Sequence, residues 1–478
     1  MAIIPFFKTV GSKLSDIQKY PVKRYSLQGL KTRLVITALL SSGPYRYRRT
    51  SMSQSAAFSN NRRHRWKVLG VGVAANASFS AAFSGIPITA VLIRSSYHLG
   101  NAELGLVLGL MGLGIAISEL PWGLLTDRWG DRPVLLSGLA TTAVALALMA
   151  LFVAPTPGHI PGLPLLAGGL LLVGLLGGSV NGSSGRAVMT WFSEGERGMA
   201  MSIRQTAVPL GGATGALLLP TLAAHFGFAA VYGLLALLCG VTLFFTWLWL
   251  YEPAAASADK SHAARNASLP APAPLKDRQL WRIVAAIGIL CAPQFAILSF
   301  GSVFLHDFSH AGIAAITVAM ASLQCGAMVM RVWSGRWTDR NRNRREFLRF
   351  CTISSAIAFA ALAALVALAG QLPAVGSVMA TLLIVMLVLT GVCVSAWHGV
   401  AYTELATIAG ARNAGTALGM ANTSVFVMCF LTPLAIPHIL TLGNWPAVWL
   451  VGSACALLAL QFFPKPVQAT MVCPQEAF

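Results

Sequence analysis

The sequence predicts an all-α integral membrane protein with about twelve transmembrane helices in two related six-helix halves. Three observations carry the prediction. Of the 478 residues, 56% are hydrophobic and only 10% are charged, and the mean hydropathy is +0.69, so lipid must be the main solvent. The apolar residues fall into segments of about 20, the length that crosses a bilayer as a helix. One short tract, Gly-x-x-x-Asp-Arg, occurs from Gly123 to Arg128 and again from Gly335 to Arg340, each time behind a long apolar segment.

Taken in chain order, residues 1–65 are a basic arm in which Asp16 is the only acid, and the apolar piece Leu34 to Leu40 is too short to span. The arm resembles an acid-poor targeting segment. The favoured alternative is a true start at Met52, and on either reading the arm is weakly ordered. Residues 66–251 hold six candidate spans, near Val68 to Ile93, Leu104 to Trp122, Pro133 to Pro155, Leu165 to Thr190, Ala200 to His225 and Phe228 to Tyr251. Residues 252–280 form a linker of low complexity, including Pro270-Ala271-Pro272-Ala273-Pro274, that parts six spans from six. Residues 281–465 hold the second set, near Ile283 to Leu305, Gly312 to Ser334, Phe350 to Gly370, Ala374 to Ala401, Gly415 to Leu442 and Trp445 to Phe463, and 466–478 are a tail. Gly and Pro inside these segments, as at Gly85-Ile86-Pro87, are tolerated in a membrane because neighbouring helices and water satisfy the freed backbone groups.

Orientation follows from Lys and Arg in the short loops, which stay cytoplasmic. Alternate gaps hold Arg62, Arg63, Arg65 and Lys67; Arg128 and Arg132; Arg197; Lys276, Arg278 and Arg282; the run from Arg336 to Arg349; Arg412; and Lys465. The intervening gaps hold only Arg94. Both termini are therefore expected in the cytoplasm, in a multi-pass protein of a bacterial inner membrane. The net charge of +19 then reads as topology, and no basic face interleaved with aromatics points to nucleic acid.

Cysteines lie singly in the apolar segments without metal-ligand spacing and read as packing residues. His306-Asp307-Phe308-Ser309-His310 carries two His four apart, but the first half has no matching cluster, so a solvated outer loop is expected there, with no metal and no catalytic residues. No phosphate-binding loop of the Gly-x-x-x-x-Gly-Lys-Ser/Thr type is present, which argues against an ATP-driven pump. Neither an enzyme nor a bound cofactor is expected.

The two halves align as parallel repeats. An offset of 212 residues carries Gly123, Asp127 and Arg128 onto Gly335, Asp339 and Arg340, and one of 217 carries Gln205-Thr206 onto Asn422-Thr423. With this pairing the chain resembles the major facilitator superfamily of secondary transporters. The family's loop signature, Gly-x-x-x-Asp-Arg-x-Gly-x-Arg, is complete as Gly123, Asp127, Arg128, Gly130 and Arg132, whereas the second copy has Arg342 in place of the second Gly. The resemblance implies that these loops gate alternating access, locking the form whose cytoplasmic side is shut. Small Gly123 and Gly335 suit close helix approach, and Asp127 and Asp339 suit a helix N-terminus.

Glu119 and Arg331 stand four residues before the two tracts with opposite charge, and an inner gate that couples them, directly or through polar intermediates, is expected. The resemblance also implies a central cavity lined by the first, fourth, seventh and tenth spans. On that basis Asn76, Arg186, Gln294 and His398 are the preferred lining residues, with Gln324 a further candidate. Arg204, Gln205 and Asn422 are other polar residues within spans. Arg186 offers forked donors for a carboxylate or phosphate, and His398 a group that titrates near neutrality. The expected cargo is a small molecule, an organic anion first and an amphipathic drug second, with a coupling proton or other ion. A receptor that does not transport is the more distant alternative.

Overall fold

A peptide chain crossing lipid must satisfy its own backbone hydrogen bonds, and this one does so with helices. The computed structural model describes residues 51–192, 194–251, 274–372, 375–410 and 414–465, and among them there is no β-strand beyond one isolated bridge. The expectations for residues 1–50, for most of the linker and for the tail lie outside the described residues.

Eleven helical stretches are long and apolar enough to cross a membrane. One of them, Met199–Trp249, has 51 residues; as a straight rod it would measure about 75 Å against a hydrocarbon core of roughly 30 Å. At Gly227 the backbone takes φ +72° and leaves helical geometry, a conformation that Gly adopts without steric cost, and the chain turns back. Spans 5 and 6 are the two limbs of this stretch, which gives twelve spans. Spans 1 to 4 are Arg63–Ser96, Asn101–Thr126, Asp131–Val153 and Leu163–Trp191. Spans 7 to 12 are Arg278–Asp307, Ile313–Asn341, Arg344–Ala369, Ser377–Ala409, Gly415–Leu442 and Trp445–Phe462.

Three spans are broken where function would use a break. Span 1 passes through a 3-10 turn at Ile86–Thr89, where Pro87 supplies no N–H. Span 4 changes direction at Gly178, between Leu163–Gly177 and Ser179–Trp191. Span 10 does so at Ala396-Trp397, between Ser377–Ser395 and His398–Ala409.

Glycines set the closest helix contacts. A Cβ on Gly114 would overlap the Leu171 carbonyl of span 4, and one on Gly174 the Met111 carbonyl of span 2. Across the two halves, a Cβ on Gly105 would overlap the Pro433 carbonyl of span 11. Gly123 and Gly335 do not behave this way. Nothing lies within 4 Å of a Cβ built on either, so the expected close helix approach at these two positions is corrected. The reason lies in how the two ends differ.

At the end away from the arginine-rich loops the halves are joined. Arg94, closing span 1, makes two 2.5 Å bonds to the Asp307 carboxylate, closing span 7. Ser302 donates to the Pro87 carbonyl at 3.4 Å. Deeper, Phe83 stacks on Phe295 at 5.6 Å and meets Phe426 edge-on at 5.5 Å, drawing spans 1, 7 and 11 together. At the basic end, beyond the Glu119–Asn422 bond described below, no hydrogen bond or ion pair among the described residues crosses between the halves. The signature loops therefore stand apart from each other, which is why Gly123 and Gly335 face open space.

Candidate functional site

The ionisable groups buried by the spans gather roughly ten residues in from the basic end, about 15 Å along a helix. The first half contributes Glu119 from span 2, Asn181 and Ser184 from span 4 and Arg204 from span 5; the second contributes Arg331 from span 8, His398 and Tyr402 from span 10 and Asn422 from span 11. The breaks in spans 4 and 10 position half of this set, because Asn181, Ser184, His398 and Tyr402 all lie in the limb just beyond the break.

A chain of hydrogen bonds crosses between the halves here. Tyr402 Oη donates to Asn422 Oδ1 at 2.8 Å, and Asn422 Nδ2 donates to Glu119 Oε1 at 3.0 Å. Arg204, only 4% exposed, is pinned to span 4: its Nε donates to Ser184 Oγ at 3.1 Å and its Nη2 to the Asn181 carbonyl at 2.7 Å. Glu119 lies close enough to Arg204 to act as its counter-charge. Arg331 lies against Tyr402 and His398, and the His398 ring stacks on Trp397 at 3.8 Å.

Glu119 Oε2, Arg331 Nε, Trp397 Nε1, His398 Nδ1, Asn76 Nδ2 and Gln294 Oε1 are buried with no hydrogen-bond partner among the described residues. An unpaired buried polar atom costs roughly 1–3 kcal/mol, so a group of them is the place a ligand or water completes. Two guanidinium groups face one carboxylate, which leaves the site net positive.

The candidates chosen from sequence divide. His398 and the pair Glu119 and Arg331 fall in the network; Glu119 and Arg331 do not touch, and Asn422 and Tyr402 stand between them. Asn76 and Gln294, 1% and 6% exposed, lie midway along spans 1 and 7, and no printed bond links them to the network. Gln324 packs across the halves on Gly212 of span 5, where a Cβ would overlap its amide.

Arg186 is placed elsewhere. Its Nη1 donates to the Thr126 carbonyl at 2.8 Å, and its Nε is 3.3 Å from Asp131, so it ties span 4 to the loop between spans 2 and 3. Positions two apart on a helix point about 200° apart. Since Ser184 faces Arg204, Arg186 faces away. Arg204 takes the place that the sequence reading gave to Arg186. Tyr402 escaped that reading altogether, although its spacing of four from His398 puts both on one helix face.

Around the signature loops, Gly130 has φ +92° and turns span 2 into span 3, and Arg132 donates to the Trp247 carbonyl at 3.0 Å. Arg128 and Arg340 are exposed, and the side chain of Asp127 lies outside the description. Asp339 pairs with Arg344 at 2.7 Å. Arg342, where the signature has Gly, takes φ +53°, so the second loop keeps the left-handed turn without the glycine. In the tract from His306 to His310, Asp307 is bound to Arg94 and to His306, and no group of three or more metal-ligating side chains exists among the described residues.

Twelve spans in two halves, broken fourth and tenth spans and a buried charged network between them agree with a family comparison. The sequence model described as Major Facilitator Superfamily matches residues 71–380. The chain belongs to the major facilitator superfamily. Among curated relatives, an uncharacterized MFS-type transporter of Mycobacterium tuberculosis is 29% identical over 401 residues, covering 84% of this chain and 85% of that protein. A probable anion transporter of Oryza sativa subsp. japonica is 28% identical over 163 residues, 34% of this chain and 36% of that one. Among solved structures, a D-xylose-proton symporter superposes with a TM-score of 0.68 at 15% identity, covering 84% of this chain and 97% of that one, a likeness of fold.

Proposed function

We propose that this superfamily member is a secondary transporter that carries a small organic anion together with a proton, drawn here in the conformation open to the cytoplasm. The observation that carries the reading is the pair of buried guanidinium groups, Arg204 on one half and Arg331 on the other, facing a single carboxylate, Glu119. Guanidinium groups present rigid, paired donors that suit carboxylate and phosphate. An anion held by both would draw the halves together at the basic end, and that differential contact is what a ligand needs to shift a two-state equilibrium. The positive-inside rule assigns the basic end to the cytoplasm.

Glu119 supplies the proton site in this scheme. Ionised, it occupies Arg204 electrostatically and competes with the cargo; protonated, it releases Arg204 to the anion. Proton and anion then move in the same direction. The name of the rice relative is consistent with an anionic cargo, and the name of the xylose neighbour with proton symport.

The test is uptake into proteoliposomes of a panel of organic acids, sugars, amino acids and cationic drugs, with and without a pH gradient. Saturable anion uptake is expected that responds to the gradient, is lost in Arg204→Ala and Arg331→Ala, and loses its pH response in Glu119→Gln. Anion uptake that survives both arginine substitutions would overturn the reading. Movement of cationic drugs indifferent to both would favour amphipathic efflux, for which the aromatic cluster of Phe83, Phe295 and Phe426 is the supporting feature.

A further inference from the structure

A second basic site lies well away from the network between the halves. Spans 7, 9 and 12 enclose a groove of about 1350 Å³ at the basic end, and Arg278, Arg282, Arg345, Arg349 and Lys465 line it. Arg345 is neutralised by Glu404 at 2.6 Å. Among the described residues, none of the other four cations has a carboxylate within ion-pair distance, although Asp277 and Glu346 are nearby in sequence. Asp277 instead caps the helix of span 7, accepting from the Gln279 amide at 2.7 Å, and Glu346 is exposed on the first turn of span 9.

Two of the arginines are held in place. Arg282 donates to the Gln461 carbonyl at 3.4 Å and Arg349 to the Leu460 carbonyl at 3.3 Å, both at the end of the span 12 helix. Using the last carbonyls of a helix in this way leaves each guanidinium with further N–H groups for a ligand. The floor is different in kind: buried Ile283 and Phe463 and half-buried Leu460 and Phe462 make it apolar. Trp281, half exposed at the rim, donates its indole N–H to the Leu275 carbonyl, the disposition of a membrane-interface anchor.

We infer that this groove binds the phosphate-bearing headgroup of an anionic phospholipid in the cytoplasmic leaflet. Four unneutralised cations over an apolar floor match a phosphodiester set above acyl chains. A soluble phosphate ligand would need the cations and gain nothing from the floor. Basic grooves between transmembrane helices on this side of a membrane are a recurrent setting for such headgroups. Spans 7, 9 and 12 all belong to the second half, so an occupant would brace one rocking body without obstructing the space between the two.

Native mass spectrometry of the protein released from phosphatidylglycerol nanodiscs tests the inference. Wild-type protein is expected to retain one phosphatidylglycerol, and retention should weaken in R278Q/K465Q by roughly 30-fold, at about tenfold or a little less for each interfacial charge. Both side chains are exposed and bonded to nothing else printed, so the thermal midpoint should stay where it is, confirming that the variant is folded. The charge-matched pair R63Q/K67Q, in the other half, should retain lipid like wild type. Retention in R278Q/K465Q equal to wild type would overturn the site. Displacement of the lipid by millimolar inorganic phosphate would overturn the lipid assignment in favour of a soluble phosphate ligand.

Discussion

Removing the charge of Asp307 should release the closed end of the molecule. Arg94 and Asp307 form a two-bond pair with side-chain exposures of 21% and 28%. Exposed ion pairs are worth about 0–1 kcal/mol, and breaking a buried one costs about 3–5 kcal/mol. A pair about one quarter exposed sits between, near 2 kcal/mol after allowance for solvent screening. Because the pair joins spans 1 and 7, that energy belongs to the closed form alone, and its loss shifts the equilibrium toward opening at this end by about 30-fold. A conformer held at about 1% would rise to about one quarter of the population. In Asp307→Asn, Arg94 keeps its 3.0 Å bond to Asn101, so no naked buried charge is left to unfold the protein. The assay is a spin-label distance measurement in nanodiscs, on a cysteine-free background, with labels at exposed Ser95 and Gln371. A long-distance population should grow in D307N and shrink again in the exchanged double variant R94D/D307R. An unchanged distance distribution in D307N would refute the argument that this pair latches the halves.

Three further outcomes follow from the geometry. Gly105→Ala places a methyl against the Pro433 carbonyl across the two halves and should cost about 1–3 kcal/mol, read as a lowered thermal unfolding midpoint, while the same change at Gly123, which faces open space, should not. Arg342→Gly removes a side chain from a left-handed residue and should raise stability by up to about 1 kcal/mol; a lower midpoint would mean that the Arg342 side chain contributes more than its backbone costs. Arg186→Ala should lower stability by severing span 4 from the Asp131 loop, yet leave the binding affinity for the transported anion unchanged in equilibrium binding, in contrast to Arg204→Ala.

The spans were readable because bilayer thickness writes their length directly into composition. The duplication was readable because the two loop tracts sit outside the lipid, where charged residues stand out. Even the turn at Gly227, where span 5 becomes span 6, falls between the segments ending at His225 and starting at Phe228. What could not be read was rotation. A span that is apolar all round carries no hydrophobic stripe to reveal which face meets a partner, so Arg186 and Arg204 looked equally able to enter the site. The break at Gly178 and the face shared by Asn181 and Ser184 decided between them. Gly123 and Gly335 failed for a different reason. Their role was inferred for a state closed at the basic end, and the molecule is drawn in the other.

The unequal ends also determine where a membrane voltage acts. Between the site and one solution stand the packed rings of Phe83, Phe295 and Phe426 and then the Arg94–Asp307 pair, while toward the other solution the halves are unjoined beyond Glu119. An electric field drops across the dry part of its path, so most of the potential falls over the aromatic plug. Each elementary charge carried through the full field is worth about 2.3 kcal/mol per 100 mV. Glu119, Arg204 and Arg331 therefore sit near the potential of the basic-side solution. Loading or unloading them from that side does little electrical work, and the voltage is felt when the plug moves from one face of the charged layer to the other.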